Sequence, residues 1–226
     1  MKKRKILKIL IICFSVYIIY FYFSNNIVVD NIGKCSNSLY EGTGQVKVKN
    51  KDGYSTIFVT KENRKFIEYK QNGDASWSQN EYWSGTMEEN GCGITALSII
   101  LSGYGIEYTP EDLRQKYKPH LNGNDISKAL KDDFGIENSD FYYASIYFSK
   151  NYIMNKLEEG NIILVCVWNK PNDVWTKKSH YMVLLASDGE DKIYVSNPNG
   201  TNKENPSGWY ETNKILPYIA KALFIE

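Results

Sequence analysis

The feature that most constrains this chain is the run Glu89–Leu101, ENGCGITALSIIL, in which Cys92 stands between two glycines at the head of an apolar helical pattern. The spacing of Ile94, Leu97, Ile100 and Leu101 predicts a helix from Cys92 to Leu101 with a buried face, so the fold has to be built around it. A helix N-terminus carries unpaired backbone N–H groups and partial positive charge. Both favour a thiolate over a thiol, and the thiolate is the attacking form. Gly91 and Gly93 leave the sulfur open and let a carbonyl approach the backbone. Cys92 is therefore the candidate nucleophile.

Most free cysteines are inert apolar residues. The scarcity of histidine argues for chemistry here. The chain has two, His120 and His180. His120 lies in the polar, turn-like KPHLNGND and reads as a surface residue. His180 opens HYMVLLAS, a buried-strand pattern, which suits a base held by a sheet. After that strand come the turn signal DGED, the short alternating strand KIYVS and the stop NPNG. A hairpin would return Asn197 to the neighbourhood of His180, where its side chain can accept from one ring nitrogen and leave the other facing Cys92. Upstream, in SWSQNEYW, Gln79 is a side-chain amide that together with the Cys92 N–H would serve as an oxyanion donor. Trp77, Tyr82 and Trp83 read as core or cleft-wall residues.

These blocks, WSQNEYW, GCGITAL, SHYMVLL and NPNG, resemble the papain-like cysteine peptidases of family thirty-nine, the group that includes the bacteriocin-leader-processing endopeptidases. The resemblance spans about Glu68 to Gly200 and implies an α+β papain-like fold, a helical half carrying the nucleophile packed on an antiparallel sheet carrying the histidine. By it, Gln79 corresponds to the oxyanion amide, Cys92 to the nucleophile, His180 to the base and Asn197 to the orienting residue. Two positions depart from the family pattern: Ile94 replaces a proline, and Asn197 replaces an aspartate.

The N-terminus carries a second signal. KKRK is followed by Ile6, Leu7, Lys8 and an uncharged run from Ile9 to Phe23. A bilayer core takes roughly 20 apolar residues, so residues 1–23 read as a slightly short membrane anchor with Lys8 at the interface. The basic flank places everything after Ser24 outside the cytoplasm. A cleaved signal peptide is the alternative, although SNNIVVDNIGK offers no small-x-small cleavage site. Residues 24–43 read as a tether. Residues 44–226 read as the peptidase domain, opening with a β extension (QVKVK, STIFVT, KFIEY) ahead of a core at 68–200.

The remaining elements are helices opening at Thr109-Pro110, at Asp125 (stopped by Gly135) and at Ser149 (stopped by Gly160). Strands follow at 162–168, 180–187 and 192–196, then a short helix near 215–219 and a closing strand ALFIE. Of four cysteines, Cys13 lies in the anchor, Cys35 in the tether and Cys166 within the apolar run IILVCVW, which argues against a Cys35–Cys166 disulfide. No Cys/His spacing suits a metal and no cofactor motif is present. With 27 basic and 26 acidic residues, a nucleic-acid partner is not expected. The expectation is an extracytoplasmic cysteine peptidase with a peptide or protein substrate, held to the membrane by its N-terminal segment. A peptidoglycan amidase or endopeptidase, and a non-catalytic binding module on the same fold, remain alternatives.

Overall fold

The computed structural model describes residues 44–50, 53–143, 148–168, 174–200 and 203–226. The expected membrane segment (1–23) and tether (24–43), with Cys13 and Cys35, lie outside those residues. No helix among the described residues is long and apolar enough to cross a membrane. The chain opens with β1 (Gly44–Asn50), β2 (Gly53–Val59) and β3 (Lys65–Ile67), a three-stranded antiparallel sheet. A small hairpin, β4 (Glu81–Tyr82) and β5 (Gly85–Thr86), leads into a single-turn helix α1 (Met87–Asn90) and then α2 (Cys92–Ser102). Next come α3 (Pro110–Lys116), α4 (Gly123–Phe134), β6 (Tyr142–Tyr143), α5 (Lys150–Glu158), β7 (Ile162–Val167), β8 (His180–Ser187) and β9 (Lys192–Ser196). The chain closes with β10 (Gly208–Glu211), α6 (Thr212–Ile215), a 3-10 turn (Leu216–Tyr218) and β11 (Ile219–Ile225).

Local chemistry explains the helix ends. Thr109 caps α3 with its side chain accepting from Asp112 N, and Pro110 sits where its missing N–H costs nothing. Helix α4 begins two residues before the expected Asp125 because Asn122 accepts from both Asn124 N and Asp125 N. It ends at Gly135, whose φ of 65° is the left-handed conformation that glycine tolerates best. Ser149 caps α5 by accepting from Tyr152 N.

The main sheet is antiparallel, in the order β10-β9-β8-β7-β11-β6. Alternation along each strand divides its side chains between two cores. Ile162 and Leu164 of β7, Val183 and Leu185 of β8 and Leu223 of β11 pack with α2. Ile163, Val165, Met182, Leu184 and Phe224 face the other way, onto Ile153, Met154 and Leu157 of α5 and Ile215 of α6. Helix α2 departs from the one-sided expectation, because every residue from Gly93 to Leu101 is buried. It lies between the sheet and the remainder of the helical half, so no face reaches solvent. The strands at 180–187 and 192–196 form with the expected bounds, while the edge strands β6 and β10 are additions. This is an α+β papain-like fold, with the nucleophile helix packed on an antiparallel sheet.

Candidate active site

Cys92 is the first residue of α2, and its position depends on Gly91. The Gly91 N–H donates to Met87 O at 2.7 Å, and a Cβ on Gly91 would lie 2.4 Å from that same oxygen. Only a residue without a side chain lets α1 run so tightly into α2. Cys92 is partly exposed and is a free thiol.

His180 begins β8, paired across from Val167, and is 6 % exposed. Its ring interacts with the Cys92 side chain, each group shifting the titration of the other. The turn beyond β8 returns the chain to this point. Asp188 accepts from the N–H groups of Glu190, Asp191 and Lys192 at 2.8–3.0 Å, which sets the β8–β9 register. Val183 then stands opposite Ser196, and Asn197 follows at the strand end with its Oδ1 2.8 Å from His180 Nε2.

The hydrogen-bond network assigns the imidazole tautomer. Asn197 Nδ2 donates to Asn205 O at 2.8 Å, while Oδ1 accepts from Asn199 N at 2.9 Å. The atom facing His180 is therefore the amide oxygen, so Nε2 carries a proton. In the neutral ring Nδ1 is left as the bare nitrogen, available to Cys92.

The electrostatics of the pair follow from these contacts. Burial by itself pushes the Cys92 thiol up. The His180 hydrogen bond and charge, with the N–H groups of Tyr181 and Gly93, outweigh it and hold the thiol below its ordinary value. For His180, burial favours the neutral ring. The bond and charge of Cys92 and the Asn197 contact overcome it and raise the imidazole above its ordinary range, with the Lys70 charge opposing. Both shifts favour a thiolate–imidazolium pair. Cys166, buried in β7 as a free thiol, shows the contrary case: burial dominates and its pKa is pushed up to about 11.

Gln79 stands apart from this group. It is exposed, and its Nε2 donates to Glu88 Oε2 at 2.7 Å. The nearby Gln71 is 5 % exposed. Its backbone N–H donates to Pro198 O at 2.9 Å, next to Asn197, and its Nε2 donates to Glu88 O at 2.7 Å, in the helix just before Cys92. Gln71 thus spans from the nucleophile side to the histidine side, with one Nε2 hydrogen uncommitted and a buried Oε1 that has no partner among the described residues. Sequence reasoning missed it. The only signal was its place two residues after the alternating strand KFIEY, and nothing in the sequence says which of two glutamines is buried. Trp83 also departs from expectation. It occupies the β4–β5 turn at φ 57°, is 65 % exposed, and stacks on His120 at 4.9 Å between ring centroids. Hence His120 is half-buried under an indole instead of standing free on the surface.

Residues 65–218 match the family model described as peptidase C39-like, well over half of the chain. The chain belongs to the peptidase C39-like family. The matched residues begin at β3 and end in the 3-10 turn, so they take in β10 and α6 but not β1 and β2. Compared with curated protein sequences, the chain matches none. The domain is cysteine-peptidase-like, and Cys92, His180 and Asn197 converge within it.

Proposed function

We propose that the chain is a cysteine peptidase that hydrolyses a peptide amide bond outside the cytoplasm. The observation that carries the reading is the chain of contacts from Cys92 to His180 to Asn197, in which the ring nitrogen away from the thiol is anchored at 2.8 Å on an amide oxygen. Cys92 Sγ attacks the substrate carbonyl carbon as a thiolate, and the carbonyl electron pair moves onto oxygen. The Cys92 N–H, at the start of α2, and the free hydrogen of Gln71 Nε2 stabilise that oxyanion. Burial between Glu88 and Pro198 supports Gln71 in this role over the exposed Gln79. Collapse breaks the C–N bond, and the leaving amine takes the proton from His180 Nδ1. Water then adds to the thioester while His180 accepts its proton, releasing the acid and restoring the thiol. The basic, then apolar N-terminal segment supports membrane attachment with this domain on the outer side.

The test is the pH dependence of Cys92 alkylation by iodoacetamide in the full chain, with His180→Ala as control, followed by hydrolysis of a peptide library with Cys92→Ala as the blank. Fast alkylation well below the free-thiol pKa of roughly 8.5, slowed in the control, together with library cleavage that Cys92→Ala abolishes, is the expected result. Free-thiol behaviour in both proteins refutes the peptidase reading.

A further inference from the structure

Two charged side chains beside Gln71 have no part in the chemistry above. Glu68 is 6 % exposed and accepts from Gln45 Nε2 (2.7 Å), Tyr194 OH (3.0 Å) and Ser196 Oγ (3.4 Å). Two residues on, Lys70 Nζ donates to Asn197 O at 2.7 Å and to Ser207 Oγ at 2.8 Å. Ser207 Oγ in turn accepts from Asn197 N at 2.9 Å. The Asn197 backbone is therefore held at both its N–H and its C=O by one Lys70–Ser207 unit, while its side chain holds His180.

The contact continues along both segments. Gln71 N donates to Pro198 O at 2.9 Å, Asn72 Nδ2 to Asn199 Oδ1 at 2.8 Å, and Gly200 N to Asn72 Oδ1 at 2.7 Å. The stem of Lys70 packs close to Gly200, where an added Cβ would lie 3.1 Å from Lys70 Cγ. Residues 70–72 thus zip onto 197–200, and Lys70 is the cation at the head of the zip. An apolar side chain at this site would leave Asn197 O, inside a fully buried residue, with only the longer 3.4 Å contact from Ser207 Oγ.

We propose that Lys70 is a positioning residue: its ammonium clamps the Asn197 backbone so that Asn197 Oδ1 stays on His180 Nε2, and it couples that turn to the segment carrying Gln71. The proposal rests on the reading of Cys92 and His180 as the reacting pair. Lys70 touches no reacting atom and acts through Asn197. Its charge also opposes the imidazolium, as the Coulombic contribution of Lys70 at His180 indicates. The titratable and charged groups facing the pair are Lys70 with Glu68 behind it, Tyr82 from the β4–β5 hairpin, and Tyr181 and Cys166 from the sheet.

Lys70→Met, Lys70→Gln and Lys70→Arg in the full chain test it with two readouts. One is the solvent exchange of the His180 Nε2 proton by NMR, which reports the Asn197 contact whether or not Cys92 reacts. The other is the pH profile of Cys92 alkylation. Lys70→Met removes both bonds, and Lys70→Gln is one atom shorter and uncharged. Each is expected to accelerate exchange and to slow neutral-pH alkylation by about ten- to a hundredfold, the scale of small misplacements of reacting groups. Lys70→Arg is expected to restore much of both. Wild-type exchange and profile in Lys70→Met overturn the proposal. Should Lys70→Met fail to fold, the same result in Lys70→Gln overturns it. Free-thiol behaviour of Cys92 in the wild type instead refutes the peptidase reading, and the exchange rates still decide whether Lys70 positions Asn197.

Discussion

Replacing Asn197 by alanine removes one amide and three hydrogen bonds. Asn197 is fully buried, so water does not replace the amide without rearrangement. His180 Nε2 and Asn199 N lose their acceptor, and Asn205 O loses its donor. A hydrogen bond contributes about 0.5–1.5 kcal/mol net, so the loss of three comes to about 3 kcal/mol. For a chain of this size 1 kcal/mol lowers Tm by about 2–4 °C, so the expected fall is roughly 6–12 °C. The chemical consequence is separate. Without Oδ1 the imidazole has no anchored tautomer, and kcat/KM on any cleaved peptide is expected to fall by about a hundredfold, or roughly 2.7 kcal/mol of barrier. The Asn197 bond is one of the contacts that raise His180, so its loss lowers that pKa and moves the alkaline limb of the alkylation profile to lower pH. Thermal unfolding and the alkylation profile, measured on the same protein, check both parts. A variant that melts within 1 °C of wild type by about the same cooperative transition and keeps its alkylation profile refutes the network as drawn. Asn197→Asp keeps the oxygen on His180 but sets a second oxygen against Asn205 O, so retained turnover with a lower Tm is expected.

Gln71→Ala is expected to lower kcat by about 10²–10³-fold, the scale of an oxyanion donor, while Gln79→Ala leaves it within a factor of about three; equal effects in a steady-state assay would contradict the assignment. Glu111 accepts from Arg114, Gln115 and Asn80, and the Arg114 hydrogen bond leads the contacts that lower its pKa to about 2. A depressed carboxylate stabilises the fold above its unfolded pKa and loses that contribution as pH falls through the folded value. Tm should therefore decline from about pH 4.5 toward 2, and Glu111→Gln should flatten that slope. Gly103→Ala would place a Cβ 2.0 Å from the fully buried Phe66 ring. Overpacking of this kind costs about 1–3 kcal/mol, so a lower denaturation midpoint with an unchanged Cys92 alkylation profile is expected.

Much of the fold was legible because local rules and tertiary packing agree along most of the chain. Thr109-Pro110, Gly135 and Ser149 mark helix ends through backbone chemistry that operates in any context. β8 and β9 have their expected bounds because DGED is a turn by its own side-chain bonding, and that turn returns Asn197 to His180. Less legible was anything that depends on which polar residue becomes enclosed. Gln71 and Gln79 are the same residue type eight positions apart, and the burial that separates them is created by segments 88 and 197–200, remote in sequence. Trp83 looks like a core residue by composition, yet the two-residue turn of its hairpin leaves it outward.

The sequence by itself determined the parts whose physics is local: a cysteine at a helix start, a histidine at a strand start, an asparagine one turn and one strand later. The tertiary structure decided the parts whose physics is not. The tautomer of His180 depends on bonds from Asn199 and Asn205, and the pull of Cys92 below an ordinary thiol depends on His180, 88 residues away. The clamp of Lys70 on Asn197 spans 127 residues. Hydrogen bonds and charges act over a few ångströms of space, and only the folded chain brings such partners within that range.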